Sequence, residues 1–158
     1  MSTETDDTLR QIVDERAIER LLADYAERID AKDPEGAAAC FCEDGVGIYW
    51  QECIGPAAIT ERLTGILAGF HATSHHLSNI QIQLSGDTAT ALSYVYAFHR
   101  YAETLEPMHY WGRWVDELKR ESGQWKFARR EVIGVGSINP EGRDTADLNH
   151  PGHPGRLP

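Results

Sequence analysis

The sequence predicts an α+β domain, a cone-shaped α+β barrel in which three N-terminal helices close a curved, mostly antiparallel sheet around a pocket. Three observations carry this expectation. Apolar residues keep a three-and-four spacing over the first part of the chain. After His75 and His76 the spacing becomes an alternation of two and stays so to Ile138, and the pairs Gly86-Asp87 and Ser122-Gly123 punctuate it. Helices gathered ahead of a run of strands pack on one face of the sheet they precede. A long, bent sheet closed by a helix leaves its open end as a pocket.

From about Thr8 to Ala31 the apolar positions Leu9, Ile12, Val13, Ile18, Leu21, Leu22, Tyr25, Ala26 and Ile29 form one helical stripe. Asp6 or Asp7 is placed to cap it. Asp30 falls about 40° from Ala26 on the helical wheel, at the edge of the stripe, where a half-buried carboxylate and a solvated C-terminal acid are both reasonable. Asp33-Pro34 restarts a short helix through Ala37, Ala38 and Phe41, with the acid at the cap and proline at the first helical position. Val46 to Cys53 reads as a strand with Val46, Ile48 and Trp50 on one face and Tyr49 on the other. Gly55-Pro56 opens a third helix with the face Ile59, Leu63, Ile66, Leu67 and Phe70.

His75 and His76 stand at the mouth of the first long strand, where Ile80, Ile82 and Leu84 alternate. Further strands are expected over Thr88 to Arg100, Met108 to Lys119 and Gln124 to Ile138, the last with Trp125, Phe127 and Ile133 on one parity. The domain thus spans 8–138, between a disordered N-terminus (1–7) and a flexible tail or lid (139–158) rich in Gly, Pro, His and Asp.

The 158 residues suit one domain with a sizeable core. The formal net charge of −10 argues against nucleic-acid or anionic-membrane partners, which recruit clustered Lys and Arg. A 41% apolar content without a long apolar run predicts no membrane span, and the acidic start does not read as a signal peptide. Cys40, Cys42 and Cys53 are odd in number and lack a Cys-x-x-Cys spacing, so a reducing, cytoplasmic setting is expected, with no zinc site. Glycine-rich phosphate loops are absent, and no cofactor is called for. The partner expected instead is a small-molecule substrate.

A histidine with an ordinary pKa of roughly 6.5 can take and return a proton near neutrality, and a carboxylate on its Nδ1 fixes the tautomer. Either of His75 and His76 could be that base. Strict alternation sets His76 with Ile80 and Ile82; a bulge at Ser78-Asn79 would set His75 with them instead.

The segments Ile18-Glu19-Arg20-Leu21-Leu22-Ala23-Asp24-Tyr25, Ser74-His75-His76-Leu77-Ser78-Asn79, Gly86-Asp87-Thr88-Ala89 and Gly123-Gln124-Trp125-Lys126-Phe127-Ala128-Arg129-Arg130 occur in an informative order. In that order the chain resembles the SnoaL-like proteins of the nuclear transport factor 2-like superfamily, which include scytalone dehydratase and hexachlorocyclohexane dehydrochlorinase. The resemblance covers about Asp7 to Asn139. It implies an Asp–His pair near the base of the cone, matched by Asp30 and His75, acting on carbon without metal or organic cofactor. It also implies His109 as a second histidine able to protonate a leaving hydroxyl, with a structural histidine as the alternative.

Tyr49 resembles a tyrosine that polarises a substrate carbonyl, although core packing would also account for it. Ile29 and Tyr25 depart from the family's patterns around the acid, and Tyr25 becomes a candidate substrate contact. Arg113, Arg129 and Arg130 lie on the last two strands, where one could clamp a substrate oxygen and the others pair with Glu117 or Glu131. Trp111, with Trp114, Trp125, Tyr94, Tyr96 and Phe98, would wall a ring-binding pocket, or cover a sheet that packs in a homodimer or homotrimer. The implied activity is a cofactor-independent lyase or dehydratase. An isomerase, a polyketide cyclase, or a non-catalytic assembly module like the small subunits of ring-hydroxylating oxygenases are the alternatives.

Overall fold

The computed structural model describes residues 3–139. Three helices precede a six-stranded sheet: α1 (Thr3–Asp30), α2 (Pro34–Ala38), β1 (Phe41–Ile48), β2 (Glu52–Ile54), α3 (Gly55–Ala68), β3 (Phe70–Ser85), β4 (Thr88–Tyr101), β5 (Pro107–Glu121) and β6 (Gln124–Ile138). The strand order is β2-β1-β6-β5-β4-β3, antiparallel except where β1 runs parallel to β6. The expected α+β cone is the observed one. The expected tail or lid over 139–158 lies outside the described residues apart from Asn139.

Helices α1 and α3 bury Ile18, Leu22, Tyr25, Ala26 and Ile29 with Ile59, Leu63 and Leu67 against Phe41, Trp114, Leu118, Trp125 and Phe127 of the sheet. The stripe read from the sequence is buried only in its second half, and Leu9, Ile12 and Val13 remain exposed. Helix α1 is described from Thr3, so residues 3–7, expected to be disordered ahead of a domain beginning at Thr8, are helical. Asp6 and Asp7 lie inside the helix and do not cap it. The N-cap of α2 is as expected: the Asp33 carboxylate accepts from the Gly36 backbone N–H at 2.8 Å.

Other boundaries moved for identifiable reasons. Phe41 leaves α2 and opens β1, pairing with Phe127 of β6, because its ring reaches the core from the strand. The stretch expected as one strand from Val46 to Cys53 is broken at Trp50, which has φ 60° and is exposed, so β1 and β2 form a hairpin. Phe70 leaves α3 and begins β3, which places His75 and His76 well inside that strand.

Two bulges set which side chains face the helices. In β3 the pairing with β4 jumps between Ser78 and Gln81, with Asn79 at φ 49°, a conformation asparagine tolerates better than most residues. Beyond it Ile80, Ile82 and Leu84 share the half-buried face of His75 and Leu77, while His76 is exposed. In β6 the pairing with β5 jumps at Glu117/Leu118, opposite Ala128, which turns Arg130 inward and ends the parity expected to join Ile133 to Phe127.

Candidate active site

Asp30 is the last residue of α1, where the negative end of the helix dipole opposes a carboxylate. Compensation comes from β3. His75 Nδ1 lies 2.7 Å from Asp30 Oδ1, the His75 backbone N–H donates to Oδ2 at 2.9 Å, and the Thr73 hydroxyl donates to Oδ1 at 2.9 Å. Burial, the largest influence, pushes the Asp30 pKa up; the hydrogen bonds from His75 and Thr73 overcome it and hold the carboxyl below its ordinary value. Lys32, at φ 57°, ties the end of α1 to the α3–β3 junction by donating to the carbonyls of Leu67 and Phe70.

With Nδ1 engaged by the acid, Nε2 of His75 has no partner among the described residues and is the ring nitrogen left to meet a substrate. His75 lines a cavity of about 170 Å³ whose walls include Ile29, Leu63, Ile66, Leu67, Phe70, Val95, Met108, Trp114 and Val132. The cavity is apolar, with few polar groups.

Tyr25 and Tyr49, both expected to meet substrate, line it, and their hydroxyls lie 2.6 Å apart. Burial pushes Tyr25 up to about 12 against the pull of the Arg130 guanidinium, and raises Tyr49 well above its ordinary value, so both stay neutral donors. Gly47 is required beside Tyr49, since a Cβ there would meet the Tyr49 ring at 2.6 Å.

Four other candidates are not brought to the cavity. Met108 and Tyr110 line it, so alternation sets His109, Trp111 and Arg113 on the opposite face of β5. There the His109 ring Nδ1 lies 2.8 Å from the Tyr96 hydroxyl, Trp111 is 40% exposed, and the Arg113 guanidinium lies 4.8 Å above the Tyr94 ring. Arg129 pairs with Glu131 at 2.9 Å. Arg130 is the arginine that points inward. It is spent on Asp116, which it grips with two bonds of 2.7 Å while Tyr25, Trp114 and Phe127 surround it.

His99 is a wall residue that the sequence reading did not single out. It pairs with Thr73 across β3 and β4, and its ring centre is 5.4 Å from that of His75. Burial, together with the nearby His75, lowers its pKa to about 4, so it is neutral near pH 7. The signal was the alternation Ala89, Ala91, Ser93, Val95, Ala97, His99, whose small members leave room on one face.

Among the described residues, Cys42, Asp44 and Glu121 are close enough to share a cation. Asp44 pairs with Lys119 and Glu121 with Lys126, which already balance those carboxylates. The three cysteines carry free thiols. No described helix is long and apolar enough to cross a membrane.

Fold and site together define a nuclear transport factor 2-like cone with an Asp–His pair in the wall of an apolar cavity. Within that class the chain belongs to the SnoaL-like domain family, whose model matches residues 10–131. It is similar to a protein from Novosphingobium aromaticivorans provisionally named a scytalone dehydratase, at 35% identity over 90% of this chain and 97% of that one, with a TM-score of 0.79. A protein of the same organism provisionally named an aromatic ring hydroxylase is 28% identical over 78% and 90% of the two chains, TM-score 0.73. Hexachlorocyclohexane dehydrochlorinase LinA-type3 from Novosphingobium barchaimii shares the fold at 16% identity over 90% and 95%, TM-score 0.74. No curated protein matches the chain by sequence.

Proposed function

We propose that the protein is a cofactor-independent lyase of the dehydratase type, in which His75 removes a proton from carbon and Asp30 orients and balances it. The observation that carries this reading is the 2.7 Å contact between Asp30 and His75 Nδ1 at the edge of an apolar cavity. The relative at 35% identity, with its dehydratase name, supports elimination of water over other proton transfers.

The carbon-bound proton passes to His75 Nε2. Its electron pair forms the C=C bond, the neighbouring C–O bond breaks, and the imidazolium returns the proton to the departing hydroxyl, which leaves as water. Asp30 stabilises the transient imidazolium. The neutral hydroxyl pair of Tyr25 and Tyr49 is suited to bond a substrate carbonyl as negative charge builds on it. Neutral His99 adds a further polar group near His75. Such a base contributes roughly a hundred- to ten-thousand-fold in rate, and positioning in the apolar cavity supplies the rest.

The substrate class that suits this wall is a small hydroxylated ring ketone or phenolic compound. A panel of these, incubated with the protein and followed by mass spectrometry for loss of water, tests the reading. Turnover that disappears in His75→Ala supports it. Isomerised or cyclised products of unchanged mass would replace elimination by another reaction begun with the same proton abstraction.

A further inference from the structure

Two polar groups in the cavity wall are buried without a hydrogen-bond partner among the described residues: the Tyr110 hydroxyl and His99 Nδ1. Their rings are neighbours, with centres 6.4 Å apart. A buried hydroxyl without a partner costs stability, so its retention calls for a reason outside the free protein.

The sheet register supplies one. His75, Ala97 and Tyr110 form one row across β3, β4 and β5. Two strand spacings separate the outer members, roughly 10 Å, and the fully buried Ala97 between them contributes only a methyl group. Ala97 is covered and does not itself line the cavity, but His75 and Tyr110 both do, so a ring held in the cavity would have His75 at one end and Tyr110 at the other. At rest the Tyr110 hydroxyl is packed off the cavity surface, over the cross-strand pair Gly112 and Gly134. A Cβ on Gly112 would come within 2.6 Å of that hydroxyl and one on Gly134 within 3.5 Å. The glycines form a slot that side chains at those positions would fill.

Cavity-lining residues include no Lys or Arg, and inward-turned Arg130 is bound to Asp116. With Arg130 taken up by Asp116 and the Asp30 carboxylate beside His75, an anionic ligand would be unpaired, and an uncharged one is favoured.

We propose that Tyr110 positions the substrate: its ring leaves the Gly112–Gly134 slot when a ligand enters, and its hydroxyl bonds an oxygen of an uncharged cyclic compound held in the cavity, at the end away from His75. This rests on reading the cavity as the substrate site and not on the elimination itself.

Phenol and toluene, which differ by hydroxyl against methyl, test it by calorimetric titration of the full chain. The phenol-to-toluene affinity ratio should fall about three- to tenfold in Tyr110→Phe and stay within about twofold in His75→Gln, the worth of one hydrogen bond being of that order. Tyr110→Phe should also melt no lower than the parent protein, because the deleted hydroxyl has no partner in the free state. The proposal is overturned if the ratio is unchanged in Tyr110→Phe, if it falls in His75→Gln instead, if neither compound binds, or if Tyr110→Phe melts lower. Turnover plays no part in the measurement, so a failure of the elimination reading shows separately in the His75→Ala assay.

Discussion

The Asp30 carboxylate holds His75 at two points, accepting from ring Nδ1 at 2.7 Å and from the backbone N–H at 2.9 Å. One carboxylate therefore sets both the tautomer of the base and the position of its strand. Asp30→Asn keeps the shape and removes the charge, so turnover on a confirmed substrate should fall about a hundred- to ten-thousand-fold. His75→Ala should do similar damage, and the double variant should be little worse than either, since members of one catalytic unit are not additive. The exposed His76 belongs to the other face, and His76→Ala should retain most activity. Steady-state kinetics on the four variants check this; a dead His76→Ala beside an active His75→Ala would reverse the assignment.

Asp30 and His99 predict two separate steps of acid sensitivity. The folded-state pKa of His99 is about 4 against 6.5 for the free side chain, so between those values the unfolded chain binds the extra proton. Its share of stability is intact above about pH 6.5 and drains away as pH falls toward 4. Asp30, held below 3.8, acts lower: its contribution is present above that value and lost as pH falls through the depressed folded one. Denaturant unfolding from pH 8 to 3 should show His99→Gln flattening the upper step and Asp30→Asn the lower. An unchanged slope between pH 6.5 and 4 in His99→Gln would remove His99 from the account.

The helices and strands were legible because their signals are local, spacing and turn residues, whereas the Asp30–His75 pair came from the resemblance and spacing alone left His75 and His76 open. What the sequence concealed was mostly the effect of single inserted residues. The Asn79 bulge decides that His75 and not His76 faces the core side, and the Ala128 bulge sends Arg130 inward where parity alone gives no reason to choose among the three arginines. A bulge reverses every side chain beyond it; the one in β3 is announced by an asparagine that tolerates positive φ, whereas Ala128 carries no such sign. His109 was misplaced for a different reason. The resemblance set the second histidine at the start of the strand expected from Met108, whereas His99, on β4, is the one beside His75.

Ala97 is the smallest side chain in the row between His75 and Tyr110, and it is fully buried. Ala97 has no open space above it, so Ala97→Leu should push the neighbouring wall side chains into the cavity in which a ring would lie. Ligand binding and turnover should drop by at least about tenfold, while stability changes by no more than the roughly 1–3 kcal/mol typical of overpacking. Ala97→Gly should be tolerated far better. Equal turnover in Ala97→Leu and the parent protein would place the substrate elsewhere.

The face of the sheet turned away from the cavity carries His76, Tyr96, His109 and Trp111 in ring contact with one another, with Ile138 exposed beside them. That is more exposed aromatic surface than a solvated sheet ordinarily carries. A homodimer or homotrimer packed through this face is expected, and Trp111→Glu should dissociate it by placing a charge at its centre. Light scattering at micromolar concentration checks the state of both proteins; a monomeric parent protein sinks the idea.

Asp116 and Arg130 are both fully buried and doubly bonded to each other beneath Tyr25, and their removal should be asymmetric. Asp116→Asn leaves a guanidinium that cannot shed its proton inside an aromatic box, at a cost of about 3–5 kcal/mol. Arg130→Met leaves a carboxyl, and burial already pushes the Asp116 pKa up even with its partner present. Without Arg130 that acid escapes by taking a proton. The folded form then binds a proton the unfolded chain releases near its ordinary 3.8, so Arg130→Met should cost less at pH 5 than at pH 8 and lose stability steadily as pH rises between them. The double variant Asp116→Leu/Arg130→Met removes both charges, and it should recover much of the loss with no such pH dependence, because an apolar pair of similar volume often replaces a buried ion pair without penalty. Denaturant unfolding of the three variants at pH 5 and pH 8 tests the whole pattern. A pH-independent Arg130→Met would mean that water or another cation reaches Asp116, and an Asp116→Asn cost below about 1 kcal/mol would mean that the pair is not sealed from solvent.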